Sequence, residues 1–384
     1  MKYLDSLEKF GINLGLDRIN YLLKELGSPH LKFRSIHVAG TNGKGSTCAM
    51  VASILKEAGF KVGLYTSPHL FDYTERIKIN GKDISRKDFN RGIERIKRIR
   101  RDEHGKVFEP TVFEVLTALA FWYFAEKKVE YAVVEVGMGG RLDATNVLTP
   151  LVSVITNVEL EHTQVLGKTL ARIAREKAGI IKEGVPVVTA ERKSVALNVI
   201  KRISKINKSK LLSVTPSSLL LTPNLIGPHQ QINAACALAA INAAKIKIPQ
   251  TAITKGLKKV SWPARFQIAR RKPLTIVDGA HNPAGIKVLI DTLFRQFPDK
   301  KFTFIVGVQE DKDIGNMRKE ILRAAKKVFF THSIHKRAVR KIAGAKMYDL
   351  ANALSMTDKE DRAICGSFFL AADALKLLDV KVNT

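Results

Sequence analysis

The sequence predicts an α/β protein of two domains: a larger N-terminal domain with a mostly parallel sheet, and a smaller, Rossmann-like C-terminal domain. Short β-branched runs alternate with segments whose apolar residues recur at helical spacing, and a glycine-rich segment joins the first such strand to a helix. The alternation restarts after residue 264. Strands separated by helices are typical of parallel sheets covered on both faces. At 384 residues the chain is long enough for two cores.

In the first block the alternation predicts five strands and three helices. The predicted strands are 35–39, 61–65, 131–136, 152–156 and 185–189, and the predicted helices are 46–58, 112–127 and 170–180. Two further helices are predicted at 230–244 and 249–260, before a predicted linker at Trp262-Pro263-Ala264.

In the second block the alternation predicts three more strands and three more helices. The strands are 274–278, 301–308 and 328–331, and the helices are 283–297, 317–326 and 367–378. Pro283 suits the first turn of its helix. We therefore expect domains at residues 1–262 and 265–384.

Composition favours a soluble globular protein of the cytoplasm. Acidic residues interrupt the N-terminal segment, so no signal peptide is expected, and the longest apolar run is too short to span a bilayer. Three scattered cysteines match no metal spacing and suit a reducing compartment. The formal net charge of +28 raises the alternative of a nucleic-acid partner, but the basic residues are spread along the chain and no such motif is present.

The glycine-rich segment at residues 40–47 predicts a phosphate-binding loop. Its residues, all candidates for nucleotide binding, are Gly40, Thr41, Asn42, Gly43, Lys44, Gly45, Ser46 and Thr47. Glycines between a strand and a helix let successive N–H groups face phosphate oxygens, and the helix start adds positive potential. Lys44 is a candidate catalytic residue that would neutralise phosphates, and Ser46 or Thr47 offers a hydroxyl to Mg²⁺.

The spacing of the glycines and the lysine in this segment differs from that of a standard P-loop. Two residues rather than four separate the first glycine from the Gly-Lys pair, and Gly45 follows Lys44. A tight turn that merely tolerates glycine is the alternative interpretation. Three glycines, a lysine and two hydroxyls in eight residues favour a P-loop-type nucleotide-binding domain.

Three ionisable residues of the first block are further candidates. Glu135 ends an apolar strand before a glycine turn, where a carboxylate suits Mg²⁺, although a solvated strand-edge carboxylate is the alternative. His162 follows the strand at 152–156, where sites gather in parallel sheets. By sequence alone, Lys177 is interpreted as a surface lysine of a helix.

A third turn after a strand lies in the second block. Asp278-Gly279-Ala280-His281-Asn282 leads into the helix that Pro283 begins. Asp278 would orient a ribose or substrate, and His281 and Asn282 would face any cleft. The alternative for Asn282 is that it caps the helix.

These segments together resemble the folylpolyglutamate synthase and dihydrofolate synthase family, a branch of the Mur ligases. The matching motifs include TSPHL at 66–70, EVGMGGRLDATN at 135–146 and DGAHN at 278–282. Further matches occur in the same order at 37–47, 75–77, 80–81, 160–162, 166–169, 176–180, 229–230, 233–234, 265–266 and 311–313. Departures are Glu161, where the family usually has aspartate, and Met138, where it usually has leucine.

The resemblance implies roles for individual residues. Positions matching Ser67, Glu135 and His162 hold Mg²⁺, with two ions expected, and the lysine matching Lys177 is typically carbamylated. Positions matching Asn233, Arg265 and Asp278 contact the nucleotide. The histidine matching His281 lies near the phosphates and the glutamate, and the segment after 67–70 resembles a loop that helps bind the pterin.

The resemblance also implies the reaction. ATP phosphorylates a carboxylate of dihydropteroate or a reduced folate, and L-glutamate displaces phosphate to form an amide. The expected partners are these small molecules, with no specific nucleic acid, no membrane and a monomeric state. The alternatives are another Mur-type amide ligase of cell-wall precursor synthesis and a nucleotide-gated nucleic-acid-binding protein. The sequence does not distinguish a dihydrofolate synthase from a folylpolyglutamate synthase.

Overall fold

The computed structural model describes residues 2–99, 109–215 and 223–380. The chain divides into two compact units. The larger unit comprises Met1–Pro223 and Gln231–Val260, and the smaller comprises Asn224–Gln230 and Ser261–Thr384.

The larger unit is built on an eight-stranded sheet with the order β4-β3-β2-β5-β1-β6-β7-β8. Its strands are β1 Arg34–Ala39, β2 Val62–Tyr65, β3 Ile77–Ile79, β4 Lys82–Asp83, β5 Tyr131–Glu135, β6 Val152–Ile155, β7 Val187–Thr189 and β8 Leu211–Ser213. The six strands from β2 to β8 in this order are parallel, and β3 and β4 form an antiparallel hairpin beside β2. Strand β1 lies between β5 and β6, and all of its residues after Arg34 are buried.

The helices of the larger unit alternate along the chain with these strands, and the first three residues of one of them, at 228–230, belong to the smaller unit. They are α1 Lys2–Leu7, α2 Asp17–Glu25, α3 Lys44–Glu57, α4 Arg86–Lys97, α5 Val112–Glu126, α6 Thr163–Leu166, α7 Leu170–Ala178, α8 Ser194–Ile206, α9 Pro228–Ala243 and α10 Gln250–Lys259. The apolar helix α5 begins with a capping box between Thr111 and Glu114, and most of its residues belong to the core. No helix within the described ranges is both long and apolar enough to cross a bilayer.

The smaller unit has a six-stranded sheet with the order β13-β12-β11-β14-β10-β9. Its strands are β9 Gln267–Arg271, β10 Leu274–Val277, β11 Thr303–Val306, β12 Lys327–Thr331, β13 Met347–Tyr348 and β14 Arg362–Cys365. Its helices are α11 Pro283–Gln296, α12 Ile314–Ala324, α13 Leu350–Met356 and α14 Phe368–Leu377. All neighbouring strands except the β9–β10 pair are parallel.

The predicted fold class is confirmed, and each predicted strand and helix is present with shifted ends. Helix α3 begins two residues earlier than predicted because Gly43, not Gly45, precedes it. Helix α12 begins at Ile314 rather than residue 317 because the Asp313 side chain caps it by accepting from Asn316 N.

Most of the elements that the sequence did not predict are short or strongly charged, and α8 is the exception. They are β3, β4, β8, β9, β13 and β14, with α1, α2, α4, α6, α8 and α13. Strand β14 was missed because it begins with Arg362, whose side chain is fully buried. Its guanidinium donates to Leu354 O and to the hydroxyls of Thr275 and Thr357. These bonds compensate for the burial of the charge.

Close packing of α10 against α3 provides a test of the fold. A Cβ atom at Gly256 would lie 2.5 Å from Ile54 Cα and 2.7 Å from Ile54 N. Since backbone atoms cannot move aside singly, Gly256→Ala should lower the free energy of unfolding by about 1–3 kcal/mol. Urea unfolding followed by circular dichroism measures this change.

Gly315→Ala is the matched control, because a Cβ there would have only Asp313 Oδ1 nearby, at 3.9 Å. It should leave stability unchanged or slightly higher. Equal stability of both variants would contradict the close packing of α10 on α3.

Candidate active site

Adjacent parallel strands bring three candidate loops to one edge of the larger sheet. Val38 of β1 pairs with Glu135 of β5, and Ala39 pairs with Ile155 of β6. The segments that follow these strands therefore leave the sheet side by side. Ligands of open α/β sheets bind at this carboxyl edge.

The phosphate loop has a backbone that requires glycine at two positions. Gly40 has φ +147°, and a Cβ there would lie 1.8 Å from Thr156 Oγ1. Gly43 has φ +82°, and its Cβ would lie 2.4 Å from Asn233 Oδ1. The interpretation as a turn that merely tolerates glycine is therefore wrong. Asn233, predicted to contact the nucleotide, lies against this loop.

Two residues that sequence reasoning missed hold the loop in place. Thr41 N donates to Asn157 O at 2.9 Å, and Asn42 N donates to Asn157 Oδ1 at 2.8 Å. Thr156 Oγ1 donates to Asn42 O at 2.7 Å. Both residues stand just after β6, so the strand-end rule that selected His162 could also have found them.

The start of α3 is the part of the loop suited to an anion. Gly43 caps the helix without a side-chain hydrogen bond, and α3 begins at Lys44. A helix start with uncapped N–H groups is a ready anion site. Lys44 Nζ donates to Thr41 O at 3.1 Å, and Thr47 Oγ1 is buried without a hydrogen-bond partner among the described residues.

A hydrogen bond joins two of the three residues implied to hold Mg²⁺. Ser67 N donates to Glu135 Oε2 at 3.0 Å, and Glu135 is 4% exposed. The alternative of a solvated strand-edge carboxylate is therefore wrong. His162 precedes α6 with φ +50° and follows β6, two strands away from β5 in the sheet. In the described ranges, no group of three His, Cys, Asp or Glu residues is arranged to hold a metal ion.

Lys177 is buried, so its interpretation as a surface lysine is wrong. Its side chain is 4% exposed, and Nζ donates to Gly40 O at 2.8 Å. Burial, together with the nearby charge of Lys44, lowers the pKa of Lys177 to about 7, although Glu161 and Asp143 oppose the shift. Sequence reasoning missed the burial of Lys177, because the direction of its side chain depends on the contacts that hold the last turn of α7.

The segment 137–146 sets the end of α7. Arg141 N donates to Glu176 O at 2.8 Å, and Asn146 Nδ2 donates to Gly179 O at 3.0 Å. These bonds hold the last turn of α7 against the glycine turn after β5. Lys177 consequently points inward, toward Gly40.

Asp143 organises the same segment from inside. Its Oδ2 accepts from Met138 N at 2.8 Å, and its Oδ1 accepts from Thr145 N and from Thr145 Oγ1 at 2.6 Å. Thr145 Oγ1 also lies 2.8 Å from His37 Nε2. Because the threonine proton goes to Asp143, His37 donates from Nε2. Burial, together with the charge of Lys182, lowers the pKa of His37 to about 3, so its ring is neutral.

Glu75 shapes the segment that resembles a pterin-binding loop. Its two carboxylate oxygens accept from the backbone N–H groups of Leu70, Phe71 and Asp72 at 2.7–2.9 Å. Nearby, Arg76 Nε donates to His69 Nδ1 at 2.9 Å. One carboxylate thus fixes the turn that follows Ser67.

The predicted residues of the smaller unit gather near the end of β10 and in the turn that follows it. Asp278 accepts from Phe266 N at 2.6 Å and from Ala280 N at 2.7 Å. The Arg265 guanidinium lies 4.6 Å from the Phe368 ring centre, and its Nε has no hydrogen-bond partner among the described residues. Phe368 was not predicted as part of this group, since only the fold places α14 beside β10.

Two histidines lie in this group. His281 Nδ1 is 2.8 Å from Gly279 O, and its ring centre is 5.6 Å from that of Phe368. Burial lowers the pKa of His229 to about 4, although Asp278 opposes the shift. The Asn282 side chain accepts from Gly285 N and caps α11, as the capping interpretation predicted.

Comparison with known proteins identifies the family of this chain. The Mur ligase middle domain matches residues 38–215, and the Mur ligase glutamate ligase domain matches residues 264–375. The dihydrofolate synthase/folylpolyglutamate synthase of Bacillus subtilis is 37% identical, over 85% of this chain and 81% of the relative. The chain belongs to the folylpolyglutamate synthase and dihydrofolate synthase family. It is an ATP-dependent ligase of the Mur type.

Other relatives extend this likeness over nearly the whole chain. The Escherichia coli dihydrofolate synthase/folylpolyglutamate synthase is 31% identical over 99% of this chain and 95% of its own length. The Mycobacterium tuberculosis folylpolyglutamate synthase complexed with ADP and AMPPCP has a TM-score of 0.90 at 30% identity, covering 99% of this chain and 98% of that one. E. coli FolC in complex with DHPP and ADP has a TM-score of 0.89 at 31% identity, covering 98% and 97%.

Asp143 offers a direct test of how this family member holds its site. Asp143→Asn places an amide donor against the N–H of Met138 or Thr145, which leaves a buried donor unpaired at a cost of about 1–3 kcal/mol. We expect a lower melting temperature and a loss of ADP release of about tenfold or more, since the segment also positions Lys177. Calorimetry and an ADP-release assay measure the two effects.

Glu183→Gln is the control, because its side chain is 75% exposed. It should change neither readout. An Asp143→Asn enzyme with wild-type stability and activity would show that Asp143 does not organise the turn.

Proposed function

We propose that this enzyme joins L-glutamate to a pterin carboxylate at the expense of ATP, using the residues assembled at the carboxyl edge of the larger sheet. The substrate is dihydropteroate, a reduced folate, or both. The observation that carries this proposal is the uncapped start of α3 beside the buried Lys177, in a chain whose relatives include folylpolyglutamate and dihydrofolate synthases.

The phosphate loop would bind ATP through its N–H groups and Lys44. The constrained glycines hold the backbone ready for the phosphates, so little reorganisation is needed as charge moves during phosphoryl transfer. Asn233 lies beside Gly43 and would contact the nucleotide there. Arg265 and Asp278 of the smaller unit are proposed to contact the nucleotide as well.

Ser67, Glu135 and His162 are the proposed holders of Mg²⁺. The buried carboxylate of Glu135 suits a hard cation, and Thr47 Oγ1 is a buried hydroxyl that lacks a protein partner among the described residues. When bound, Mg²⁺ would neutralise charge on the phosphate oxygens.

Lys177 is proposed to be carbamylated. A buried amine with a pKa of about 7 is partly neutral at physiological pH. The neutral nitrogen attacks the carbon of CO₂, and loss of one proton leaves a carbamate. The modification replaces a buried cation by an anion beside Lys44, which removes a repulsion between like charges.

The reaction would proceed in two steps. An oxygen of the pterin carboxylate attacks the γ-phosphorus of ATP, giving an acyl phosphate and ADP. The glutamate amine, after losing a proton, attacks the acyl carbon, and phosphate leaves as the amide forms. His281 is proposed to lie near the phosphates and the incoming glutamate, and exclusion of water would protect the acyl phosphate. We further propose that the enzyme acts in the cytoplasm as a monomer.

Another Mur-type ligase of cell-wall precursor synthesis is less supported, because the named relatives are folate enzymes. Specific nucleic-acid binding has no motif in its favour and would have to survive physiological salt.

The substrate requirement tests the proposal. ADP and phosphate should be released only when a pterin acid, L-glutamate and ATP are all present, because the acyl phosphate must form and then be captured. Coupled assays with dihydropteroate and with tetrahydrofolate, run side by side, measure this dependence. Release that ignores the pterin acid would contradict the proposal, and turnover of only one acid would assign the enzyme to one activity.

Lys177 gives a prediction about pH. If carbamylation needs the neutral amine, the initial rate at fixed bicarbonate should rise as pH increases through about 7 and then level off. The Lys177→Ala variant should lose most activity, and short carboxylic acids should restore part of it by supplying the missing carboxylate. An unimpaired Lys177→Ala variant would end the proposal, and the exposed Lys201→Ala serves as the control.

The same shift has a consequence for stability. Because the folded pKa is lower than the usual 10.5, the unfolded chain binds more protons between about pH 7 and 10. Without bicarbonate, the contribution of Lys177 to folding stability should therefore increase with pH across this window. The dependence should disappear in Lys177→Ala, as measured by urea unfolding at several pH values.

A further inference from the structure

The loop after β7, residues 190–193, leaves the larger sheet at the same edge as the phosphate loop. Strands β1, β6 and β7 are neighbours in that order and pair in parallel. The segments that follow them therefore lie side by side at the carboxyl edge, where ligands of open α/β sheets bind. The loop after β7 contributes two charged side chains there, Glu191 and Lys193.

The segment between this loop and the phosphate loop is residues 156–159, which follow β6. Three of its four residues bond to the phosphate loop. Thr156 and Asn157 make three hydrogen bonds to it, and Glu159 N donates to Thr41 Oγ1 at 2.9 Å. The position of the 156–159 segment therefore helps to set the backbone of the phosphate loop.

Val158, the remaining residue of this segment, bonds instead to the loop after β7. Val158 N donates to Glu191 Oε2, and Val158 O accepts from Lys193 Nζ at 3.3 Å. The same ammonium group pairs with the Glu159 carboxylate. The Val158 side chain is buried in the core, which anchors the residue between these contacts. Glu191 and Lys193 thus hold the segment from the β7 side, while the phosphate loop lies on the β1 side.

The two carboxylate oxygens of Glu191 have different partners. Oε1 accepts from Arg192 N at 2.8 Å and from Lys193 N at 2.6 Å, which closes the loop before α8. Oε2 accepts from Val158 N. A side chain that only closed its own loop would need Oε1 alone. Since Glu191 is 4% exposed, loss of its bond to Val158 would leave a buried donor unpaired.

We infer that Glu191 and Lys193 are positioning residues of the ligase reaction, which hold the phosphate loop in its nucleotide-binding conformation. They act through the 156–159 segment rather than by contact with the nucleotide. A preorganised loop loses little free energy to ordering when it binds phosphates, so removal of either side chain weakens nucleotide binding. This inference rests on the proposed role of the phosphate loop in binding ATP.

Calorimetric titration of the intact enzyme with ADP and Mg²⁺ tests the inference. Glu191→Gln keeps the size of the side chain, but its NH₂ group must face a backbone N–H, either that of Val158 or those of the loop after β7. We expect ADP binding to weaken about tenfold, as loss of a buried charge-assisted hydrogen bond does. The KM for ATP should rise by a similar factor, while the KM values for the pterin acid and L-glutamate stay within about twofold of wild type.

Lys193→Met is the second variant. The Lys193 side chain is 42% exposed, so the fold does not depend on it, and the substitution removes its bonds to Val158 O and Glu159. An exposed pair contributes less than a buried bond, so we expect ADP binding to weaken about threefold. Circular dichroism verifies folding, and if Glu191→Gln does not fold, wild-type ADP affinity in Lys193→Met overturns the inference.

Glu114→Gln is the matched control for a purely structural role. Its carboxylate is 2% exposed and accepts from Thr111 N and Arg18 Nε, which are not part of the phosphate loop. It should lower the melting temperature and bind ADP as the wild type does. Wild-type ADP affinity in folded Glu191→Gln, or equal weakening in Glu114→Gln, would overturn the inference.

Lys44→Ala separates this inference from the proposed function. If the phosphate loop holds the nucleotide, Lys44→Ala should weaken ADP binding. Wild-type affinity in Lys44→Ala would contradict the proposed role of the loop, and the inference with it. Weak binding by Lys44→Ala beside wild-type binding by folded Glu191→Gln would overturn the positioning role alone.

Discussion

The parallel pairing of β1 between β5 and β6 is the constraint on which the candidate active site depends. It brings three loops, each following a different strand, to one edge of the sheet. The loop after β1 then has no room for a side chain at Gly40, because the Thr156 hydroxyl after β6 occupies that space. The same neighbour donates to Asn42 O, so the pairing that crowds the loop also holds it.

Lys177 connects the loop after β1 to the rest of the larger unit. A buried ammonium group is costly unless its environment compensates, and the protein provides one carbonyl, Gly40 O, at 2.8 Å. The lowered pKa of Lys177, about 7, is the expected result of this burial. Burial thus makes the lysine chemically different from those at the surface, and the segment around Asp143 maintains this burial by fixing the end of α7.

The two units organise their turns in the same way. In the larger unit, the Asp143 carboxylate accepts backbone N–H groups from the turn after β5. In the smaller unit, the Asp278 carboxylate accepts them from Phe266 and Ala280. Buried carboxylates satisfied by backbone donors shape a loop without a large side-chain network.

The sequence by itself determined the alternation of strands and helices, the phosphate loop and the turns after Glu135 and Asp278. These features depend on local periodicity and on glycine placement, which neighbouring residues set. The roles of Lys177, Asn157 and Arg362 were decided only by the tertiary structure. Each contacts a strand or loop far away in sequence, and a charged side chain looks exposed until its partners are known. Local pattern predicts where the chain turns, and packing decides which side chains meet there.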